Sequence, residues 1–265
     1  LAAKGAKVRA AVHSKAKAQF PANVEVVEMH LENSASVEAA FQGAAKAYFV
    51  SPFVDNMVAL AKPVVAAAKK AGVKHLVRLS AAGAEAPNPI TIGRWQREIE
   101  VMVEQAGIPF THLRPNFFMQ NFSQNHAASI KQQGAFYTPQ GEGKSSYIDV
   151  RDISAVAAAV LTSSGHEGKA YALTGGESLS NLEAAAIFSK VLGKPVAYVD
   201  VPEAAARQGM QQFQLPAWMI DVIMELNAIA KAGYTASISP VVEQITGKKP
   251  ISFEQFVKDN LAAFK

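Results

Sequence analysis

A stretch that could hold a ligand runs through Asn116, Phe117, Phe118, Met119 and Asn121, directly behind the strand-like run Ile108 to Pro115 (IPFTHLRP). Two amides can bind polar atoms and two phenylalanines can lie against a flat ring. In an open parallel sheet ligands sit outside the carboxyl ends of the strands, so this loop reads as a site wall. Its alternative is a loop whose aromatics plug the core. A second chemical feature opens the chain: Lys4, Lys7, Arg9, Lys15 and Lys17 all precede the first acid, Glu25. The formal charge of +4 is therefore local, because the residues after 17 hold 21 basic against 22 acidic side chains. A nucleic-acid binder would spread its basic residues over a face and interleave aromatics. A single phosphate suits this small cluster better, and a solvated basic surface is the other reading.

The elements that must position these residues alternate regularly. Val24 to Met29 reads as a strand, Ser34 to Phe41 as a helix, and Ala47 to Val50 as a strand opening into Ser51, Pro52 and Phe53. Asn56 to Ala71 is helical up to Gly72, Lys74 to Ser80 is β-rich, and Ile92 to Ala106 returns to helix. On that helix Ile99, Met102 and Val103 make an apolar stripe, with Arg97, Glu98 and Glu104 expected to face water. Such repetition predicts a parallel sheet with right-handed crossovers, a doubly wound α/β fold. Further on, residues 125–132 read as helix, 135–138 as strand and 141–144 as a tight turn. Residues 151–161 make an apolar helix whose junction acids, Asp149 and Asp152, read as caps. Residues 170–173 and 196–201 are strands, and Ser180 with Glu183 makes a capping box. A final helix runs from Ser252 through Phe264. Between them a soft segment gathers Met210, Phe213, Trp218, Met219 and Met224, which suits either a core stripe or a substrate lid. The reading divides the chain into a nucleotide-binding domain over 1–150 and a mixed segment over 151–265 that completes the sheet and forms a smaller, mostly helical substrate lobe.

Composition bounds the function. The chain has 265 residues, enough for one large α/β domain with a lobe, and no cysteine, which excludes disulfides, thiolate metal sites and thiol nucleophiles. No metal site is expected. No apolar run reaches the roughly 18 residues of a membrane helix, so a cytoplasmic protein without membrane or nucleic-acid partners is expected. Nothing in the sequence sets the oligomeric state. Leu1 to Lys4 with Gly5 reads as the end of a helix and its cap. A first strand and glycine-rich phosphate turn, on the order of 20 residues, would precede it in a doubly wound fold. The chain therefore reads as amino-terminally incomplete or as numbered without those residues, and if the strand and turn are absent weak or no dinucleotide binding is expected.

The runs VKHLVRLSAAGA, GIPFTHLRPNFFMQN, SSYIDVRDISAVAAAVL, HEGKAYALTGGESLSN and ITGKKPISFEQFV resemble, in this order, the NmrA-like branch of the atypical short-chain dehydrogenases and reductases. The resemblance spans essentially the whole chain and implies a Rossmann-like fold that binds NAD(P). It implies that His13, Ser14, Lys15 and Lys17 meet the adenosine ribose, that Ser51, Pro52 and Phe53 lie along the cofactor, and that Asn116, Phe117, Phe118 and Asn121 close over its nicotinamide end. Met119, Phe213 and Trp218 are then candidates for the acceptor, which would lie between the 116–121 loop and residues 208–226. Ser80 is either a polar site residue or a strand-end turn residue. A 2′-phosphate needs cationic donors, whereas an NAD site would show an acid for the ribose hydroxyls. No acid lies between residues 1 and 24, so NADPH is expected, with NADH as a possible second cofactor.

Two departures from the family pattern bear on chemistry. His30 and Leu31 stand where relatives often carry an Asp-Leu or Asp-Tyr pair beside the adenine. Ile92 and Gln96 stand where typical short-chain dehydrogenases carry their tyrosine and lysine, and neither can move a proton. No catalytic residue is therefore assigned. The sequence implies direct hydride delivery to a small, electron-poor acceptor such as a quinone or a conjugated dye. A dinucleotide-sensing regulatory protein without turnover is the alternative.

Overall fold

The structure, a computed structural model, describes residues 1–265. Its elements are β1 (Val8–Val12), β2 (Val24–Glu28), α1 (Ser34–Phe41), β3 (Lys46–Val50), α2 (Met57–Lys70), β4 (His75–Leu79), α3 (Thr91–Gln105), β5 (Phe110–Pro115), α4 (Ala127–Gln133), β6 (Ala135–Thr138), β7 (Lys144–Ser145), α5 (Val150–Thr162), β8 (Lys169–Leu173), β9 (Leu179–Ser180), α6 (Asn181–Leu192), β10 (Ala197–Asp200), α7 (Glu203–Gln212), α8 (Ala217–Lys231), α9 (Val241–Thr246), α10 (Phe253–Asp259) and α11 (Leu261–Phe264). The residues group into two compact units. Unit 1 takes Leu1–Ser80, Trp95–His112 and Ala157–Ala170, and unit 2 takes the rest. The units interleave along the chain where the sequence reading expected one boundary at 150. Strands β5 and β8 and helices α3 and α5 each begin in one unit and end in the other.

The α/β alternation yields parallel pairing. The strands β3, β4, β5 and β8 form a parallel sheet in that order. A separate parallel pair sets β1 against β2, with Val12 opposite Glu28. In unit 1, α2 buries Met57, Leu60, Ala61, Val64 and Val65. Its Pro63 lies inside the helix, where it has no N–H to give the Ala59 carbonyl. Strand β4 is buried along His75, Leu76, Val77 and Arg78, as a strand covered on both faces should be. A turn of 3₁₀ helix at Ala2–Lys4 ends on Gly5 at φ 81°, the left-handed cap expected there.

Unit 2 has an aromatic core. Phe122 packs edge-on to Phe136, Tyr147 and Phe253, with ring centroids 5.4, 5.3 and 5.0 Å away. Phe188, Phe256 and Phe264 belong to the same cluster. The expected capping box of α6 is present, with Ser180 accepting from the Glu183 N–H and Glu183 from the Ser180 N–H. Two elements differ from expectation. The last helix breaks at Asn260 into α10 and α11, whose Asn260 side chain donates to the Phe256 carbonyl. Ahead of α4, Phe122–His126 is a π-helical turn, whereas helix was expected only from Asn125.

Gly143 packs against the end of α8 so closely that a Cβ would strike the Ala230 carbonyl, whereas Gly209 on α7 has open space around it. Gly143→Ala should destabilise by about 1–3 kcal/mol through overpacking. Gly209→Ala should stabilise by about 0.5–1 kcal/mol through helix propensity. Urea denaturation of both variants checks the pair, and a Gly143→Ala protein as stable as wild type would contradict the packing.

Candidate functional site

In unit 1 the basic turn follows β1. His13, Lys15 and Lys17 are exposed and Ser14 is half-buried. Neither Lys15 nor Lys17 makes an ion pair, so both charges are available to an anion. His13 meets His30 edge-on at 4.8 Å between ring centroids, a packing role. The turn also receives an acid. Parallel pairing places Glu28 at the end of β2, and its Oε1 accepts the Lys15 N–H at 3.1 Å. The sequence reading counted no acid before residue 25 and missed this one, because the contact is made across the ladder; the parallel register was the signal that could have found it.

Beyond the carboxyl end of β3 come Ser51, Pro52 and Phe53. Pro52 is half-buried and Phe53 is 42% exposed. The Ser51 Oγ is buried and has no hydrogen-bond partner. A buried orphan hydroxyl at the carboxyl end of a parallel strand is an uncommon cost and fits a site that a polar ligand completes.

Ser80 does not offer its hydroxyl outward. It is buried and donates to Glu100 Oε1 at 2.7 Å, which places it in a structural network. Glu100 has no exposed surface and also receives Arg97 at 2.9 Å. Arg97 donates both guanidinium arms to Glu104, at 2.6 and 3.0 Å, so these residues are not simply solvated as expected. Arg78, wholly buried, donates to Gln96. Burial lowers the Arg78 guanidinium to about 10 while Glu100 pulls it up, so it stays charged at neutral pH. Glu100, Glu104 and His112 bring possible metal-ligand atoms within 4.8 Å of one another. Arg97 donates to both carboxylates, so the cation that serves them is a guanidinium.

In unit 2 the loop after β5 is held by Asn116. Its Nδ2 donates to Ser146 Oγ and to the Thr235 carbonyl, each at 2.7 Å, and its Oδ1 accepts the Phe117 N–H at 2.9 Å. The side chain is thus a clamp, and the expected cofactor contact is not free to form through it. Phe117 and Phe118 are half-buried, and Phe118 bridges to Ile148. Asn121 is exposed. Met119 is 2% exposed and belongs to the aromatic core, so the acceptor contact expected of it is corrected to a packing role. Phe213 is 83% exposed at the end of α7, a helix without a buried residue, and Trp218 is half-buried on α8. The two readings of the FFMQN loop therefore divide by residue. Met119 and Phe122 plug the core while Asn121 faces out.

Asp149 caps the start of α5 as expected, its Oδ1 accepting the Arg151 N–H at 2.8 Å. Burial pushes its carboxyl up, and hydrogen bonds from the Arg151 side chain and backbone overcome this and hold it below its ordinary value. A carboxyl lowered by folding contributes fully above its unfolded pKa, near 3.9, and the contribution fades as pH falls through the folded value. Asp149→Asn should therefore cost about 1–3 kcal/mol at pH 7, as expected for charged hydrogen bonds, and less at a pH below its lowered folded value. In unit 1, Glu100→Gln should cost about 3–5 kcal/mol, because the buried Arg78 loses the counter-charge in whose field it lies. Denaturation against pH measures both, and an equal Asp149→Asn cost at the two pH values would contradict the first.

The chain resembles enzymes of known activity. The NAD(P)H azoreductase of Xenophilus azovorans is 39% identical over 251 residues, covering 95% of this chain and 87% of that protein. The Escherichia coli NADPH-dependent quinone oxidoreductase, solved with NADPH, superposes with a TM-score of 0.87 at 28% identity, covering 96% and 90% of the two chains. Triphenylmethane reductase of Citrobacter, solved with NADP(H), gives 0.85 at 27% identity, covering 95% and 90%. The model of the NmrA-like family matches residues 1–256, and with the parallel sheet of Rossmann-like reductases in place, the chain belongs to the NmrA-like family.

Proposed function

We propose that this protein is an NADPH-dependent oxidoreductase that delivers hydride to a small, electron-poor acceptor such as a quinone, an azo compound or a conjugated dye. The observation that carries the cofactor half lies within unit 1. The unpaired cations Lys15 and Lys17 follow β1, and the orphaned Ser51 hydroxyl follows β3. Cations and Ser14 suit a 2′-phosphate, and Ser51 suits a polar group of the same cofactor. The relatives named above support the reductase chemistry and favour it over the dinucleotide-sensing alternative. A nicotinamide cofactor, when bound, supplies the hydride. The chain's own part is to bind and orient.

Proton transfer by this chain has little support. Gln96 is committed to Arg78, and Ile92 has no ionisable group. The Tyr147 hydroxyl donates to Asn181, and burial raises its pKa far above neutrality. Acceptors that need little proton help therefore suit the protein, with water supplying protons. In unit 2 the residues left to meet an acceptor are Phe117, Phe118, Asn121, Phe213 and Trp218. No helix is long and apolar enough to cross a membrane. A cysteine-free reductase that draws on NADPH suits the cytoplasm.

Absorbance at the reduced-nicotinamide band, followed with a panel of quinones and azo dyes, tests the reading. Acceptor-dependent oxidation of NADPH is expected. Lys15→Ala with Lys17→Ala should raise KM for NADPH on the order of tenfold, as loss of charge-assisted phosphate contacts does, with little change for NADH. Binding of NADPH without oxidation by any acceptor would overturn the enzyme in favour of the sensor.

A further inference from the structure

The two acids of β2 have different fates. Glu25 is neutralised by Arg9 at 2.9 Å. Glu28 is exposed, makes no ion pair, and spends one oxygen on the Lys15 backbone N–H at 3.1 Å. Its other oxygen has no partner in the chain. The register of Val12 opposite Glu28 fixes this carboxylate beside the end of β1, where the turn carrying His13, Ser14, Lys15 and Lys17 begins. The turn therefore presents two cations and one uncompensated anion to whatever binds there.

We propose that Glu28 is a specificity-determining residue of the ribose end of the cofactor: its carboxylate opposes a 2′-phosphate and can accept from ribose hydroxyls when no phosphate is present. The inference rests on the assignment of this turn to the cofactor in the proposed function. The lysines favour NADPH and Glu28 tempers them, so the chain retains use of NADH. A 2′-phosphate brings close to two negative charges, and each full charge on the turn shifts its binding directly. The ribose of NADH brings two neutral donors that a carboxylate accepts well. The tuning arises from strand pairing, since Glu28 lies 11 residues beyond Lys17.

The test is equilibrium binding of NADPH and NADH to wild type and to Glu28→Gln, which keeps an oxygen acceptor for the Lys15 N–H and removes only the charge. The ratio of the NADH to the NADPH dissociation constant should rise about threefold, the effect of one charge acting across several ångströms of water. Added salt should shrink that rise. Glu28→Ala serves as a second variant and should move the ratio in the same direction. A ratio unchanged in both variants, or a loss of both cofactors together, would mean that Glu28 only holds the turn and would overturn the proposal. Wild-type protein that binds neither nucleotide would overturn the cofactor assignment itself, and this inference with it. Wild-type binding with an unmoved ratio would overturn the Glu28 role alone.

Discussion

Unit 1 depends on a buried carboxylate. Glu100 carries a charge with no exposed surface; Ser80 and Arg97 donate to it and Arg78 lies in its field. A buried charge left unpaired costs several kcal/mol, so the bonds to Glu100 hold its neighbours in place. The Ser80 bond ties the first residue after β4 to the middle of α3, and therefore fixes where the chain leaves the sheet. It also explains why Ser80 has no hydroxyl to spare for chemistry. The polar groups that a short-chain dehydrogenase would direct at substrate are here turned inward to hold a strand and a helix in register.

The residues proposed to recognise the cofactor are brought together differently. A parallel ladder sets the carboxyl ends of neighbouring strands side by side, so turns far apart in sequence share one edge. That geometry brings Glu28 to Lys15. After β3, Ser51 has a buried hydroxyl that nothing in the protein satisfies. Lys15, Lys17 and Glu28 at the turn make no ion pair, whereas Arg97 pairs with both Glu100 and Glu104.

Much of the fold was legible because periodicity reports burial. Strand β6 and helix α1 fall where alternation and the 3.6-residue period put them. The capping box at Ser180 and the cap at Asp149 follow from local chemistry and were equally readable. What escaped depends on partners distant in sequence. Asn116 looked like a ligand amide, and only the approach of Ser146 and Thr235 makes it a clamp. Met119 looked like a pocket residue, and its burial depends on Phe253 and Phe188 arriving from the carboxyl-terminal third. The π-helical turn at Phe122–His126 and the break at Asn260 carry no glycine or proline to mark them. The interleaving of the two units was hidden for the same reason, since strands and helices that continue from one unit to the other leave no change in composition.

Gln96 is committed to Arg78, Ile92 has no ionisable group and burial raises the Tyr147 hydroxyl far above neutrality, so the chain's part is binding and orientation and the hydride comes from a nicotinamide. The most direct measurement is turnover of NADPH deuterated at the transferable position with a quinone acceptor, followed by analysis of the reduced product under single-turnover conditions. The account predicts acceptor-dependent oxidation, a primary isotope effect on the transfer step, and no loss of that step when Ser80 is replaced by alanine. Tight NADPH binding with no oxidation by any quinone, azo or dye acceptor would contradict it.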